Sequence, residues 1–411
     1  MAGFRRLLLS RFAAQWGDGL FQAGLAGAVV FNPERQASPL AIAGGFAVLL
    51  LPYSLVGPFA GALLDRWDRR RVLVMANLLR ALLVLVTAVA VIAGVGNDVL
   101  LVLALVTVGI SRFLLAGLSA ALPHVVPVRN LIEANALAAT LGAITAVLGA
   151  VCAVGLRAVF GEGDAGSGLT TSVAMVGSLL AAAITVRFVR GALGPDEVDE
   201  PPEALLAIAR GLFDGGRAAL RAPSVSAGFV ALIAHRASVS ISLLITVLLM
   251  RYSFTDAGPL KAGMAGLGEI LLAGGIGILL AGITTARLVG RFGRRRSICS
   301  ALLLAMLAEL GFGLSMTLPA AVLATFVIIY AGQVVKLCVD AACQRDIGDE
   351  TRGRVFALYD TMFNLTQVIA VALAATVVPP DGRSTGLIMV ATVLYLLGVA
   401  GFGLVSRRQV A

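Results

Sequence analysis

Over 411 residues, apolar side chains (AVILMFWYC) make up 59% and Asp, Glu, Lys and Arg only 13%, a balance that excludes an ordinary soluble domain. The formal charge of +9 would suggest nucleic acid in a soluble chain, but here the arginines gather in short loops between apolar runs, so no nucleic-acid partner is expected. Cys152, Cys299, Cys338 and Cys343 lie in or beside those runs without a CxxC pair or a histidine at ligand spacing, which argues against a disulfide framework, a metal site and any cofactor.

The runs are about twenty residues long, the length a helix needs to cross a hydrocarbon core of about 30 Å. The polar–apolar alternation of a membrane barrel is absent. The predicted fold is therefore all-α and integral to the lipid bilayer, with twelve transmembrane helices. In chain order the spans are Leu8 to Phe31, Pro39 to Leu64, Val72 to Gly94, Val99 to Ala121, Ala134 to Phe160 and Gly168 to Phe188. After a polar stretch come Val225 to Met250, Ala262 to Val289, Ser297 to Met316, Leu318 to Ala342, Val355 to Val378 and Thr385 to Val405. The basic start of the chain has no small-residue cleavage site after it, so the first run reads as a retained span.

Placing the amino end inside puts Arg66, Arg69, Arg70, Arg71, Arg287, Arg291, Arg294, Arg295, Arg296, Arg407 and Arg408 in the cytoplasm. Only Arg35, Arg157, Arg251, Lys261 and Arg383 remain on the other side. Basic residues of short loops stay inside, so both termini are expected to be cytoplasmic, in the cell's inner (plasma) membrane. The sizeable loop opens with Asp196, Glu197, Asp199 and Glu200 and then Pro201–Pro202. It separates an amino-terminal bundle, 1–189, from a carboxyl-terminal bundle, 223–411. Within the 190–222 linker, Leu205, Leu206, Ile208, Ala209, Leu212 and Phe213 recur at helical spacing opposite Arg210 and Arg217, the pattern of a helix lying on the inner membrane surface.

The sequence repeats itself. Gly61, Asp65, Arg66, Asp68, Arg69, Arg70 and Arg71 follow the second span, and Ala286, Gly290, Arg291, Gly293, Arg294, Arg295 and Arg296 follow the eighth at a constant offset of 225 residues. Parallel six-span repeats with a basic loop between spans two and three resemble the major facilitator superfamily, whose loop signature is G-x-x-x-D-R-x-G-R-R. The resemblance implies a major facilitator fold of two pseudo-symmetric six-helix bundles. It also implies a cytoplasmic gate made by Gly61, Asp65, Arg66, Arg69, Arg70, Arg291, Arg294 and Arg295. Asp68 replaces the expected first-half glycine and Gly290 the second-half aspartate, so Asp65 is expected to latch the first half only. The stretch Ala121 to Leu137, the opening of span eleven at Gly353 to Tyr359, and Arg112 inside span four look most like the drug and siderophore exporter branch. The fifth span departs from many drug antiporters: Gly149 to Gly155 lacks their proline.

Ionisable groups inside a membrane cost several kcal/mol unless they find a partner or a cavity, so each is a candidate. Arg11, Gln15, Asp18 and Gln22 fall on one stripe of the first helix. In the fold that the chain resembles, span one lines the central cavity, so Gln15, Asp18 and Gln22, with Asn364, are the expected substrate contacts. The alternative is a polar seam joining span one to a neighbour. The resemblance gives Arg112 a role in proton coupling, with Asp18 its expected partner. Asp360 and His235 complete the proton-coupling set, His235 sitting at depth if its span begins early. Lys336 and Asp340, four apart, are expected to form an intramembrane ion pair. Glu269 and Glu309 have no evident partner. Aromatic residues are sparse, which argues against flat polycyclic cations as sole substrates.

The expected function is proton-coupled efflux of a small amphipathic, drug-like molecule by alternating access in a monomer, with protons and the small molecule as partners; siderophore or lysolipid export is the nearest alternative. No HExxH, GxSxG, P-loop or dinucleotide pattern is present, so neither an enzyme with catalytic residues nor an ATP-driven pump is expected. A non-transporting sensor or scaffold would have to read the surface helix of the linker.

Overall fold

The structure, a computed structural model, describes residues 2–32, 38–55, 68–127, 130–194 and 204–407. Among them are thirteen α-helices: α1 Ala2–Val29, α2 Pro39–Leu55, α3 Arg69–Ile92, α4 Asn97–Ala120, α5 Leu131–Phe160, α6 Asp164–Thr185, α7 Ala204–Arg221, α8 Pro223–Tyr252, α9 Gly263–Phe292, α10 Arg294–Ser315, α11 Leu318–Asp346, α12 Asp349–Ala375 and α13 Thr385–Arg407. Ten of these are long and apolar enough to cross a membrane. α1 falls short because Gln15, Asp18 and Gln22 dilute its apolar run, and α2 is short among the described residues. Helices dominate because a chain in hydrocarbon must satisfy each backbone N–H and C=O within itself.

Local chemistry sets the helix ends. Asp68 caps α3 by accepting from the Arg70 N–H at 2.9 Å. Pro223 and Pro319 stand in the first turns of α8 and α11, where a missing N–H costs nothing. Gly293 alone joins α9 to α10 at φ 79°, a left-handed conformation that favours glycine.

The chain divides into two compact units, Met1–Ala37 with Gly44–Ile208, and Ser38–Ala43 with Ala209–Ala411. In the first, α1 packs on α5 and α6, and α3 on α6. Two buried clusters fill it: one around Leu20, Phe21, Val84 and Val108, the other around Leu73, Leu114, Leu118 and Leu193. In the second, α8 is largely buried between α13, α12 and α11, while α11 also packs on α9 and α10. Many large apolar side chains point outward in both units, among them Met75, Val147, Val151, Leu271 and Leu279, the surface a bilayer covers.

Candidate functional site

Small residues let α1 reach its neighbours. A Cβ on Gly177 of α6 would stand 2.5 Å from the Ala13 carbonyl and 2.9 Å from Gly17 Cα, and one on Gly149 of α5 would run into the Trp16 carbonyl. Backbone contact this close replaces the hydrophobic drive that lipid does not supply. It also leaves room for a large side chain from α3. Arg80, fully buried, crosses to α1, where Nη1 donates to the Ala14 carbonyl at 3.2 Å and Nη2 lies 2.7 Å from Asp18 Oδ1.

Asp18 is thus partnered by Arg80 and not by Arg112. Arg112 is partly buried on α4. Asp18 leaves the stripe by turning to α3, because at 6% exposure it needs a cation more than an opening. Arg11 Nε donates to Gln15 Oε1 at 3.2 Å, and its Nη1 to Ser119 Oγ on α4 at 3.4 Å. Gln15 fits against Gly142 of α5, and Gln22 is partly buried. The stripe therefore ties α1 to α3, α4 and α5.

Of the loop residues, Gly61, Asp65 and Arg66 lie outside the described residues. Arg69 is buried and donates to the carbonyls of Ala120 at 3.0 Å and Leu193 at 3.4 Å. Arg70 donates to Val186 at 2.7 Å. These two guanidiniums bind the start of α3 to the ends of α4 and α6. In the second unit Arg291 and Arg295 are exposed, whereas Arg294 Nη1 lies 3.8 Å from Asp346 Oδ2. Asp346 also accepts from Ser224 Oγ and from Arg345 Nε. The acid missing at Gly290 is thus matched by Asp346 at the end of α11, where α8, α10 and α11 begin or end.

The second unit has its own sealed polar cluster. Glu309 of α10 is fully buried, with Ser242 Oγ of α8 at 2.7 Å from both carboxyl oxygens. The same Oγ lies 3.0 Å from the Ser238 carbonyl. No cation pairs with Glu309 among the described residues. His235 sits thirteen positions into α8, buried, its ring 5.7 Å from that of Tyr395 and against Gly332 of α11. The His235 Nδ1 and the Tyr395 hydroxyl have no hydrogen-bond partner among the described residues.

Lys336 Nζ lies 2.7 Å from Asp340 Oδ2 along α11 and 5.6 Å from the Tyr359 ring centre. On α12 Asp360 is exposed and Asn364, one turn on, partly buried. Glu269 accepts the Lys261 backbone N–H at 3.2 Å, a loop contact at the start of α9. Among the described residues no three His, Cys, Asp or Glu side chains form a metal-binding group.

Sequence reasoning missed Arg80, Arg157 and Asp346. Arg80 had a signal, since an arginine in the middle of an apolar run has to be partnered. Arg157 was placed as a loop charge, yet it is buried and donates to the Phe31 and Glu162 carbonyls at 2.9 and 3.0 Å and to Ser167 Oγ at 2.9 Å. Asp346 sits at a helix end and gave no spacing cue.

The sequence pattern of the Major Facilitator Superfamily matches residues 7–371. The chain belongs to the major facilitator superfamily. Two curated relatives, from Mycobacterium bovis and Mycobacterium tuberculosis, each described as an uncharacterized MFS-type transporter, are 42% identical over 410 residues, 98% of this chain and 91% of theirs. Solved superfamily structures share its fold. A point mutant of the nucleoside transporter NupG gives a TM-score of 0.74 at 12% identity, covering 98% of this chain and 99% of that one. A point mutant of the peptide transporter POT in complex with alafosfalin gives 0.72 at 13%, covering 98% and 94%. The protein is a multi-pass membrane transporter of the superfamily's kind and not an enzyme, and its fold is the major facilitator fold of two helical bundles.

Proposed function

We propose that this transporter is a secondary active exporter, exchanging protons for a small amphipathic molecule by alternating access. The observation that supports the reading is the Asp18–Arg80 pair, an acid and a base held 2.7 Å apart between α1 and α3 with Arg80 sealed from solvent. Each ion costs several kcal/mol in hydrocarbon, and removing one partner from such a pair costs about 3–5 kcal/mol. A proton arriving on Asp18 cancels the charge that holds Arg80. The guanidinium is then driven to another acceptor, and the α1–α3 contact has a second arrangement to move to. Arg112, on the next helix, is a further candidate of the proton-coupling set.

In this reading the arginine-rich ends of α3 and α10 face the cytoplasm, as do both termini, in the inner (plasma) membrane. Arg69, Arg70 and Arg294, each holding helix ends of its own bundle, are candidate gate residues of that face, as is Asp65, which lies outside the described residues. Asp360 and His235 are candidate proton stations of the second bundle, and Gln15, Gln22 and Asn364 candidate substrate contacts. A monomer suffices, since each bundle contains its own ionic contacts.

The experiment is reconstitution in liposomes with an inward proton gradient and a panel of lipophilic drugs, siderophores and lysolipids, reading internal pH. Wild type should show a pH change with one class of compound, and the Asp18→Asn/Arg80→Gln double variant should show none while still inserting. A double variant that moves protons at the wild-type rate would refute the reading.

A further inference from the structure

The buried surface between α3 and α6 carries polar atoms without partners. Arg70 donates to Val186, just past the end of α6, and a Cβ on Gly168 would meet the Ala88 carbonyl of α3 at 2.7 Å. The two helices therefore run antiparallel, in a register that sets Ser178 beside the turn from Asn77 to Arg80. A Cβ on Gly17 of α1 would stand 3.4 Å from Gly177 Cα and 3.5 Å from Arg80 Nη2, which puts the guanidinium at the same level. Asn77, Arg80 and Ser178 are all buried, and Arg80 Nε, Asn77 Oδ1 and Ser178 Oγ have no hydrogen-bond partner among the described residues.

Asn77 Nδ2 donates to the Leu73 carbonyl at 2.8 Å. A carbonyl only accepts, so this bond fixes which end of the amide is the oxygen. That oxygen is left as an open acceptor, although buried side-chain polar atoms nearly always find a partner. Asn77 and Arg80 are three apart on one helix, so their side chains are neighbours on one face, and a long side chain in a helix leans over the turn that precedes it. Arg80 instead reaches across to α1, where Nη1 and Nη2 are engaged by the Ala14 carbonyl and Asp18, and its Nε–H stays an open donor. Donor and acceptor, one turn apart, fit each other. The reach to Asp18 draws one away from the other.

We propose that Asn77 Oδ1 is the second acceptor of Arg80: when Asp18 loses its charge, the guanidinium falls back one turn along α3 and donates to Asn77. A neutral oxygen has the chemistry this needs. It holds a guanidinium through a charge-assisted hydrogen bond without a charge of its own to compete with an ionised acid, so Asp18 wins while it is ionised and Asn77 when it is not. Asn77 is thereby a positioning residue that acts through Arg80. The part of this switch in transport rests on the exporter reading; the acceptor itself does not.

The test uses full-length protein in mixed micelles, unfolded by titration with sodium dodecyl sulfate, and a cycle of Asp18→Asn and Asn77→Leu. In the wild-type background Asn77→Leu is expected to change the unfolding constant little. In Asp18→Asn, where Arg80 has turned to Asn77, it should raise that constant about tenfold more, the effect of one hydrogen bond to a charged group. Asp18→Asn/Asn77→Asp, which sets a carboxylate at the second position, should be more stable than Asp18→Asn, and should restore monodisperse protein if that single variant fails to fold. Asp18→Asn/Thr87→Asp, with the same acid two turns further along α3, should not. The inference is overturned if Asn77→Leu costs the same in both backgrounds, as a purely structural asparagine or a fixed water bridge would give, or if Asn77→Asp rescues Asp18→Asn no better than Thr87→Asp does. Coupling in the cycle without proton flux in wild-type liposomes would sink the exporter reading and leave the acceptor standing; flux without coupling in the cycle would do the reverse.

Discussion

Arg80 Nη2 lies 2.7 Å from Asp18 Oδ1, joining the middle of α3 to the middle of α1 through a guanidinium that no solvent reaches. The pair is both a fastening and a charge that has to be balanced whenever α1 moves against α3.

Asp18→Asn leaves Arg80 buried without its counter-ion, and Arg80→Gln leaves the acid. Each single variant should lose about 3–5 kcal/mol, while the double variant, with neither charge to bury, should recover much of that loss. Thermal midpoints in one detergent give the order wild type, double, singles. Additive losses would mean that the two residues are not coupled.

At Glu309 one hydroxyl hydrogen on Ser242 faces three acceptors, the two carboxyl oxygens and the Ser238 carbonyl. A hydrogen on Glu309 would let one carboxyl oxygen donate to Ser242 Oγ while the serine hydrogen goes to the other carboxyl oxygen or to the Ser238 carbonyl. Glu309→Gln, which brings N–H donors in the same shape, should therefore unfold close to wild type. Glu309→Ala and Ser242→Ala should each cost about 1–3 kcal/mol. A glutamine variant as unstable as the alanine one would contradict this view of the cluster.

Gly177→Val should prevent α1 from seating, because even a Cβ at 177 would stand 2.5 Å from the Ala13 carbonyl. Gly45→Ala meets nothing within 4 Å and should be silent. Size-exclusion profiles of tagged variants read the difference directly: loss of the monodisperse peak for the first, none for the second.

In the loop before α9, Asp256 accepts from the Ala262 N–H at 2.9 Å and from Lys261 Nζ at 3.0 Å. The backbone bond first, and the lysine second, hold its carboxyl below the usual carboxylate range. A depressed folded value contributes order above the unfolded value and loses it as pH falls through the folded one. Hydrogen exchange at Ala262 should therefore accelerate only in acid below the ordinary carboxylate range, and Asp256→Asn should abolish that pH dependence.

The fold was legible because apolar run length and the repeated basic loop are long, redundant signals. The helices nevertheless pass the predicted spans. α1 begins at Ala2 and not Leu8, and α9 continues to Phe292 past Val289, since a helix need not stop where the hydrocarbon does. The surface-helix pattern of the linker, read from Glu203 to Leu220, corresponds to α7 at Ala204–Arg221, with Phe213 and Leu220 exposed and Asp214 3.5 Å from Arg354 Nη1 on α12.

The site was less legible. A stripe such as Gln15, Asp18 and Gln22 names a face but not its neighbour, and a helix in a bundle has neighbours on every side. Ser242 carried no cue at all. Serine is common in apolar helices, and only packing brings it to Glu309.

The most direct test of the central claim is the pH dependence of ligand affinity in purified protein, for a compound that drives proton movement in liposomes. If the proton and the ligand compete through Asp18, affinity in wild type should change with pH, by at most about tenfold per unit for one exchanged proton, and the Asp18→Asn/Arg80→Gln variant should bind with no pH dependence. A flat profile in wild type, or the same slope in the variant, would contradict coupling through the Asp18–Arg80 pair.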